Sequence, residues 1–547
     1  MVVGDSQQQK PEKLSPYSAI LHGVWYLCGP REVEGPFGMH IFSDALEALT
    51  PARIHGIHRG VEKESLRTLV NGRLATTAHP RSLGSALTHP HITTDFSESQ
   101  VELITSVHLG AQDCLDELLQ IQQVTQRALG EEMLWASSMP CGLPQDDAIP
   151  LGQYGDSNIG MSKTIYRMGL GYRYGRRMQT ISGIHYNWSL PDVSSERYFG
   201  LIRNFRRHAF LLLYLFGASP AVCSTFVAGR QHQLQALNAH TMYLPYATSL
   251  RMGRLGYQSD AQSSLAVSYN SLEGYGDSLQ KALTQAYPPY EAIGVRGPDG
   301  EYRQLATTLL QIENEFYGTI RPKRVIRSGE RPLHALRERG VEYVEVRLMD
   351  LNPFEPVGIS SQTMRFLDVF LLHCLLADSP PDTAQEIAAL ARNQHRVAER
   401  GREPGLQLER GAEQPELVDW AAELVTALAP IAMRMDAAHA TSDYLAAVTA
   451  AEHALQHPDT LPSARVLQAV SQDHDGSFVA FARARSIQIK QDMLEATLPV
   501  SVQHHYARLA QASWDDQRKI EAADTQPFAA YLDEYLSPRH LNPPGAH

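Results

Sequence analysis

What the chain lacks narrows its function before any motif is read. It has no basic excess: 48 Lys and Arg stand against 60 Asp and Glu, for a formal charge of −12 at pH 7. That balance argues against a general nucleic-acid binder, which carries a net basic surface or a long basic stripe. It has no long apolar run either. The most apolar segments, around Phe210 to Phe216 and Val369 to Ala377, fall well short of the roughly 18 to 20 residues that span a bilayer, so they read as buried helix and no membrane span is expected. Cysteine is scarce: Cys28, Cys114, Cys141, Cys223 and Cys374 are odd in number, widely spaced and without a C-x-x-C pair. This pattern predicts free thiols, a reducing and therefore cytoplasmic setting, and neither a disulfide nor a structural zinc site. A basic segment followed by an apolar core and a small-residue cleavage site is missing near the start, so no signal peptide is expected.

Several catalytic signatures are missing too. There is no G-x-x-x-x-G-K-[ST], and Gly169-Leu-Gly-Tyr-Arg-Tyr-Gly has the wrong glycine spacing for a dinucleotide fingerprint. A G-x-S-x-G elbow is absent, which removes support for a serine hydrolase. His55, His58, His89 and His91 carry no H-E-x-x-H spacing and read as ordinary core or surface histidines.

What is present is an ordinary globular composition, 43% hydrophobic and 20% charged over 547 residues, enough for a large core and more than one structural region. Residues 1–40 form a polar and then Gly/Pro-rich extension that reads as poorly ordered. Residues 41–360 alternate strand-like and helical segments, and residues 361–536 are rich in Ala, Leu, Gln and Arg at helical spacing. Residues 537–547 read as a flexible tail.

Four strand-like segments repeat one pattern. Alternate side chains of a strand share a face, so Gly60-Val-Glu-Lys-Glu-Ser-Leu sets Glu62 beside Glu64, and a strand over Gln100 to Ile104 carries Glu102 with Asp95 on its approach. In Ser182-Gly-Ile-His-Tyr-Asn-Trp-Ser-Leu, His185 and Asn187 share one face, near Gln179. In Val341-Glu-Tyr-Val-Glu-Val-Arg-Leu-Met-Asp, Glu345 and Arg347 oppose Val344, Val346 and Leu348. Such strands side by side make an α+β fold: a mostly antiparallel sheet, apolar on the face that meets the helices and rich in carboxylates on the other. Clustered carboxylates repel unless a cation sits among them, and hard oxygen donors select magnesium, manganese or calcium. The densest basic run, Arg321, Lys323, Arg324 and Arg327, suits a phosphate-bearing ligand or a solvated loop.

Over about residues 45–535 the chain resembles the proteobacterial glutamate–cysteine ligase family. The likeness rests on Gly60-Val-Glu-Lys-Glu-Ser-Leu-Arg, Leu83-Gly-Ser-Ala-Leu-Thr-His, Ile92-Thr-Thr-Asp-Phe, Gln179-Thr-Ile-Ser-Gly-Ile-His-Tyr-Asn, Tyr243-Leu-Pro-Tyr-Ala-Thr-Ser-Leu-Arg, Leu310-Gln-Ile-Glu-Asn-Glu, Ile320-Arg-Pro-Lys-Arg and Tyr343-Val-Glu-Val-Arg, in that order. The resemblance implies a glutamine-synthetase-like carboxylate–amine ligase with a curved antiparallel sheet around a funnel-shaped site. It implies ATP as co-substrate, L-glutamate and L-cysteine as substrates, Mg2+ (Mn2+ as alternative) as the metal, and a monomer. By matching position, Glu62, Glu64, Asp95, Glu102, His185 and Glu345 would ligate the metal, and Arg347, Arg251 and Glu345 would act at the transferring phosphoryl group, with Arg347 and Arg324 on the ATP phosphates. Gln179 and Asn187 would line the glutamate site, and Tyr166, Arg167, Phe96, Tyr257 and Tyr317 the cysteine site. The rival readings are a γ-glutamyl ligase using another amine and a non-catalytic glutamate or nucleotide sensor on the same fold.

Overall fold

The computed structural model describes residues 43–543 apart from 257–259, 264 and 328. The extension expected over residues 1–40 and the side chain of Tyr257 thus lie outside the described residues. Ten strands are described: β1 (His58–Thr68), β2 (Ile92–Thr94), β3 (Gln100–Ile104), β4 (Met133–Leu134), β5 (Ile184–Ser189), β6 (Ala221–Cys223), β7 (Gln235–Asn238), β8 (Thr241–Tyr243), β9 (Ile320–Lys323) and β10 (Tyr343–Met349). The main sheet runs β2-β3-β1-β5-β10-β9 with β4 extending β1, and β6-β8-β7 form a separate small sheet. Every pairing in the main sheet is antiparallel. The alternating patterns around Glu102, His185 and Glu345 fall on β3, β5 and β10, as the sequence predicts.

The face of this sheet turned to the helices is built from cross-strand apolar rows. Tyr186 of β5 stands between Val61 and Val346, and Trp188 pairs with Val344; all five are buried. Helix Ala111–Ala128 lies on β1 and β3, helix Ser195–Phe216 on β9 and β10, and helix Ser361–Leu376 packs against both. Ser194 and Ser360 start the latter two by accepting from the amides of Arg197 and Thr363, satisfying donors that a helix N-terminus leaves without partners. Helix Ser361–Leu376 buries apolar residues around most of its circumference, which suits a helix walled in by the outer helices Leu417–His439 and Asp443–Gln456. Burying each of its large side chains contributes about 1.5–3 kcal/mol. From Ser361 onward the named elements are helices.

Three findings depart from the sequence reading. First, the helix-facing side of β1 is not apolar throughout: Arg59, Lys63 and Arg67 all point into it and are buried. Each is answered. Arg59 pairs with Asp368 at 2.9 Å with neither side chain exposed, Lys63 Nζ donates to Gln122 at 2.5 Å, and Arg67 pairs with Glu132 at 2.7 Å. Burying these groups without partners would cost several kcal/mol apiece. Second, Cys141 and Cys223 are joined in a disulfide across 82 residues of sequence, while Cys114 and Cys374 are free and buried. The expectation of free thiols was wrong for this pair because the topology brings the loop after β4 against β6, a proximity that spacing along the chain does not encode. Third, the expected flexible tail is packed as far as it is described: Pro538–Leu541 forms a turn with Leu541 buried, and Arg337 donates to Leu541 O at 3.3 Å and to Asn542.

The disulfide generates a prediction. A cross-link closing a loop of this length restricts the unfolded chain by about 4 kcal/mol in the loop-entropy treatment. Reducing the protein, or replacing Cys223 by serine, should therefore lower the thermal midpoint by several degrees. Identical melting of oxidised and reduced protein, or alkylation of Cys141 and Cys223 in denatured, unreduced protein, would show that the bond is not part of the fold.

Candidate active site

The polar face of the sheet concentrates the carboxylates that strand alternation predicted. Register places them opposite one another: Glu64 of β1 faces Glu102 of β3, and Glu62 faces His185 of β5. Glu345 of β10 faces Asn187, and Gly60 of β1 meets that residue from the other side. Between Val346 and Met349, β10 carries one more residue than β5; such a bulge twists the strand locally and re-aims a side chain, here at Arg347.

The imidazole of His185 is the hub. Its Nδ1 lies 3.0 Å from Glu62 Oε2 and 3.8 Å from Glu345 Oε1, and its Nε2 lies 3.5 Å from Glu64 Oε1. Asn187 donates to Glu62 Oε1 at 2.9 Å, and the amide of Gly183 donates to Glu64 Oε2 at 2.7 Å. Gly183 also admits Arg251: a Cβ there would fall 2.0 Å from Arg251 Nη2. Buried Arg251 in turn donates to the carbonyl of Arg347 at 2.9 Å and lies 3.8 Å from Asp350.

Charge is unevenly distributed over the cluster. On the β10 side, Glu345 is surrounded by cations, with Arg347 at 3.2 Å, Lys323 at 3.4 Å and Arg321 at 3.9 Å. Burial pushes its carboxyl up, but Lys323, Arg347, His185 and Arg321 together hold it well below the usual carboxylate range. On the β3 side the balance reverses. Burial and Asp95 push Glu64 up to about 8, and burial with Glu62, Asp95 and Glu64 raises Glu102 well above its ordinary value. His185 is kept below its ordinary pKa by burial and by Arg347.

These residues fit a hard divalent cation. One ligand atom each from Glu62, His185 and Glu345 lies within 4.8 Å of the others, and the same holds for Glu64, Glu102 and His185. Glu345 Oε2 and Asn187 Oδ1 are buried and accept no hydrogen bond from the protein, the condition of atoms shaped for a ligand. A third group of this kind, Glu330, His334 and Glu338, differs because Arg339 neutralises both of its carboxylates.

The aromatic residues gather beside the cluster. Phe96 is buried in a second apolar core against which Tyr166 and Tyr317 pack. The Tyr317 hydroxyl accepts from Gln179 Nε2 at 2.8 Å, and Arg167 stacks on Tyr154 at 4.4 Å while donating to the carbonyl of Asp95. A cavity of about 300 Å³ opens next to them, its lining including Arg251, Arg347, Tyr317, Gln262, Tyr269 and Arg207. That volume suits a small polar ligand.

Arg324 does not join this assembly. Its guanidinium donates to Gly340 O at 2.6 Å and sits 3.8 Å from Glu342. The cations that β9 does bring to the site are Arg321 and Lys323, two residues apart and paired with Glu345 and Tyr343. The signal for them was the same alternation that marked Glu345 and Arg347; within the basic run it selects 321 and 323 and rejects 324.

Comparison with known proteins assigns the family. The family model described as glutamate-cysteine ligase matches residues 45–397. A glutamate–cysteine ligase of Alcanivorax borkumensis is 45% identical over 513 residues, covering 90% of this chain and 98% of that protein. One from Saccharophagus degradans is 45% identical over 500 residues, covering 88% and 94%. Among solved structures, the glutamate–cysteine ligase of Francisella tularensis in complex with AMP superposes with a TM-score of 0.84 at 36% identity, over 88% of this chain and 97% of that one. With most of its length matched by the family model and nearly all of it by relatives at this identity, the chain belongs to the glutamate–cysteine ligase family.

Proposed function

We propose that this protein couples ATP consumption to the joining of the γ-carboxylate of L-glutamate to the amine of L-cysteine, giving γ-glutamylcysteine, ADP and phosphate. The observation that supports the reading most is the single cluster in which Glu62, Glu64, Glu102, His185 and Glu345 lie within a few ångströms, flanked by Arg347 and Lys323.

A carboxylate resists attack by an amine because its charge is delocalised, so amide formation proceeds through an acyl phosphate. That step brings the glutamate γ-carboxylate against the γ-phosphate of ATP, two anions that repel. Arg347, Lys323 and Arg251 are arranged to offset that repulsion and to stabilise charge on the transferring phosphoryl group. Glu62, Glu64, Glu102, His185 and Glu345, with Asp95 beside them, are the residues to hold Mg2+, or Mn2+ in its place; a bound divalent cation supplies charge neutralisation at the phosphates. Burial and the neighbouring carboxylates together shift Glu64 and Glu102 upward, and a cation placed among them would relieve that repulsion. Gln179 and Asn187 serve the glutamate side, and Phe96, Tyr166, Arg167, Tyr257 and Tyr317 the cysteine side. Cysteine attacks as the neutral amine, a form already present near pH 7 because an α-amino group titrates at about 8; a strong protein base is not needed. Lys323 replaces Arg324 as the β9 contribution to the ATP phosphates.

The remaining features follow the same reading. The helices from Ser361 onward act as the support on which the catalytic sheet is built, the protein works as a monomer, and it resides in the cytoplasm, where the buried Cys141–Cys223 bond is shielded from soluble thiols.

Two mutations test the assignment. Glu345→Ala should cut glutamate- and cysteine-dependent ADP release by about 10² to 10³ or more while leaving the far-UV spectrum unchanged; a folded variant turning over near the wild-type rate would remove Glu345 from the metal set. Tyr317→Ala should raise the KM for cysteine more than the KM for glutamate. Equal saturation by cysteine in both proteins would take Tyr317 out of the amine-donor pocket. An ADP-release assay omitting each substrate in turn, then exchanging cysteine for other amines, tests the reaction itself.

A further inference from the structure

We propose that Arg321 is a positioning residue for the amine-donor side of the site, joining the phosphoryl-side carboxylate Glu345 to the backbone that carries Tyr317. The inference rests on the functional reading above and deepens it. It also gives a role to the Ile320-Arg-Pro-Lys-Arg motif, of which only Lys323 has one so far.

Arg321 lies directly across the β9–β10 ladder from Glu345, and its side chain is 7% exposed. The guanidinium reaches two ways. Nη1 stands 3.9 Å from Glu345 Oε2, while Nη2 donates to Asn314 O at 2.9 Å and also to Phe316 O. The first carbonyl belongs to the middle residue of the turn Glu313–Glu315, the second to the residue that precedes Tyr317 in the chain. Tyr317 then meets Gln179 through its hydroxyl at 2.8 Å. One planar fork thus spans the metal-binding carboxylate and the segment presenting the aromatic wall.

Neutralising Glu345 does not require Arg321, since Arg347 and Lys323 both stand closer to that carboxylate. What Arg321 adds is its grip on two carbonyls. The turn is also held elsewhere: Glu315 pairs with Arg173 at 3.0 Å, and Gln262 accepts from the amide of Tyr317 at 3.0 Å while donating to Glu315 O at 2.9 Å. The Glu315–Arg173 contact fastens the turn to helix Asn158–Tyr174, whereas Arg321 fastens it to the sheet that carries the carboxylates. A cation that draws on Glu345 is then felt at Tyr317, and by linkage cysteine at Tyr317 is felt at Glu345. A lysine retains one charge but lacks the fork needed to serve both partners.

The test compares wild type with Arg321→Lys and Arg321→Gln. Cysteine binding is followed by calorimetry on enzyme holding glutamate, Mn2+ and a non-hydrolysable ATP analogue, and KM is measured for each of the three substrates. Loss of a charge-assisted hydrogen-bonding pair predicts cysteine affinity about tenfold weaker and cysteine KM about tenfold higher in both variants. In Arg321→Lys, the loss of cysteine affinity exceeds by at least about threefold any accompanying change in the KM for glutamate or in Mn2+ affinity. Unchanged cysteine affinity in either folded variant overturns the proposal, as does a uniform rise in all three KM values, which is the mark of a merely structural role. So does full rescue by lysine, which would show that charge alone matters. Absence of ADP release by the wild type would instead defeat the functional reading, a result distinguishable from an active wild type whose variants bind cysteine normally.

Discussion

The site depends on containing the mutual repulsion of carboxylates that are largely removed from solvent. At short range and reduced dielectric, two like charges cost several kcal/mol. The protein meets the cost differently at the two ends of the cluster. Around Glu345 it supplies arginine and lysine close at hand; at Glu64 and Glu102 burial and the neighbouring carboxylates outweigh the pull of Arg251, Arg347 and Arg167, and both carboxyls are shifted upward. The cluster is thereby graded, with three cations within 4 Å of Glu345 at β10 and carboxyls shifted upward at β3.

The sheet makes this possible because its register is set by both faces at once. Tyr186, Val61 and Val346 form one apolar row, and their neighbours on the opposite face are the site residues themselves. A packed core on one side therefore fixes the positions of charged groups on the other to within the tolerance that ligand binding requires. The helices behind the sheet supply that rigidity, and one of them, Ser195–Phe216, also lends Arg207 to the wall of the cavity.

Legibility in the sequence followed from how local each signal is. Glu62 with Glu64, His185 with Asn187, and Glu345 with Arg347 were readable because a period of two along one strand is a local property, and antiparallel pairing then brought them together. Arg321 and Lys323 obey the same rule but sat in a basic run that obscured their parity, and Arg324 was taken in their place. The Cys141–Cys223 bond and the docking of Leu541 were invisible because both depend on which distant segments meet. The buried Arg59, Lys63 and Arg67 were concealed for a related reason: their partners Asp368, Gln122 and Glu132 lie far along the chain, so nothing nearby announced that the charges would be satisfied. Placing Arg251 against Gly183 likewise needed the fold, although a glycine immediately before an alternating polar strand is the kind of residue that marks a close approach.

The double duty of β1 has an evolutionary consequence. Between Arg59 and Arg67 its odd-numbered residues Arg59, Lys63 and Arg67 enter the helix-packed interior, while the even-numbered Glu62 and Glu64 enter the cluster. Gain or loss of a single codon within this strand would exchange the two sets, driving acidic groups into the core and bases among the ligands. Descendants of this gene can drift by substitution along β1, but length variation there is closed to them.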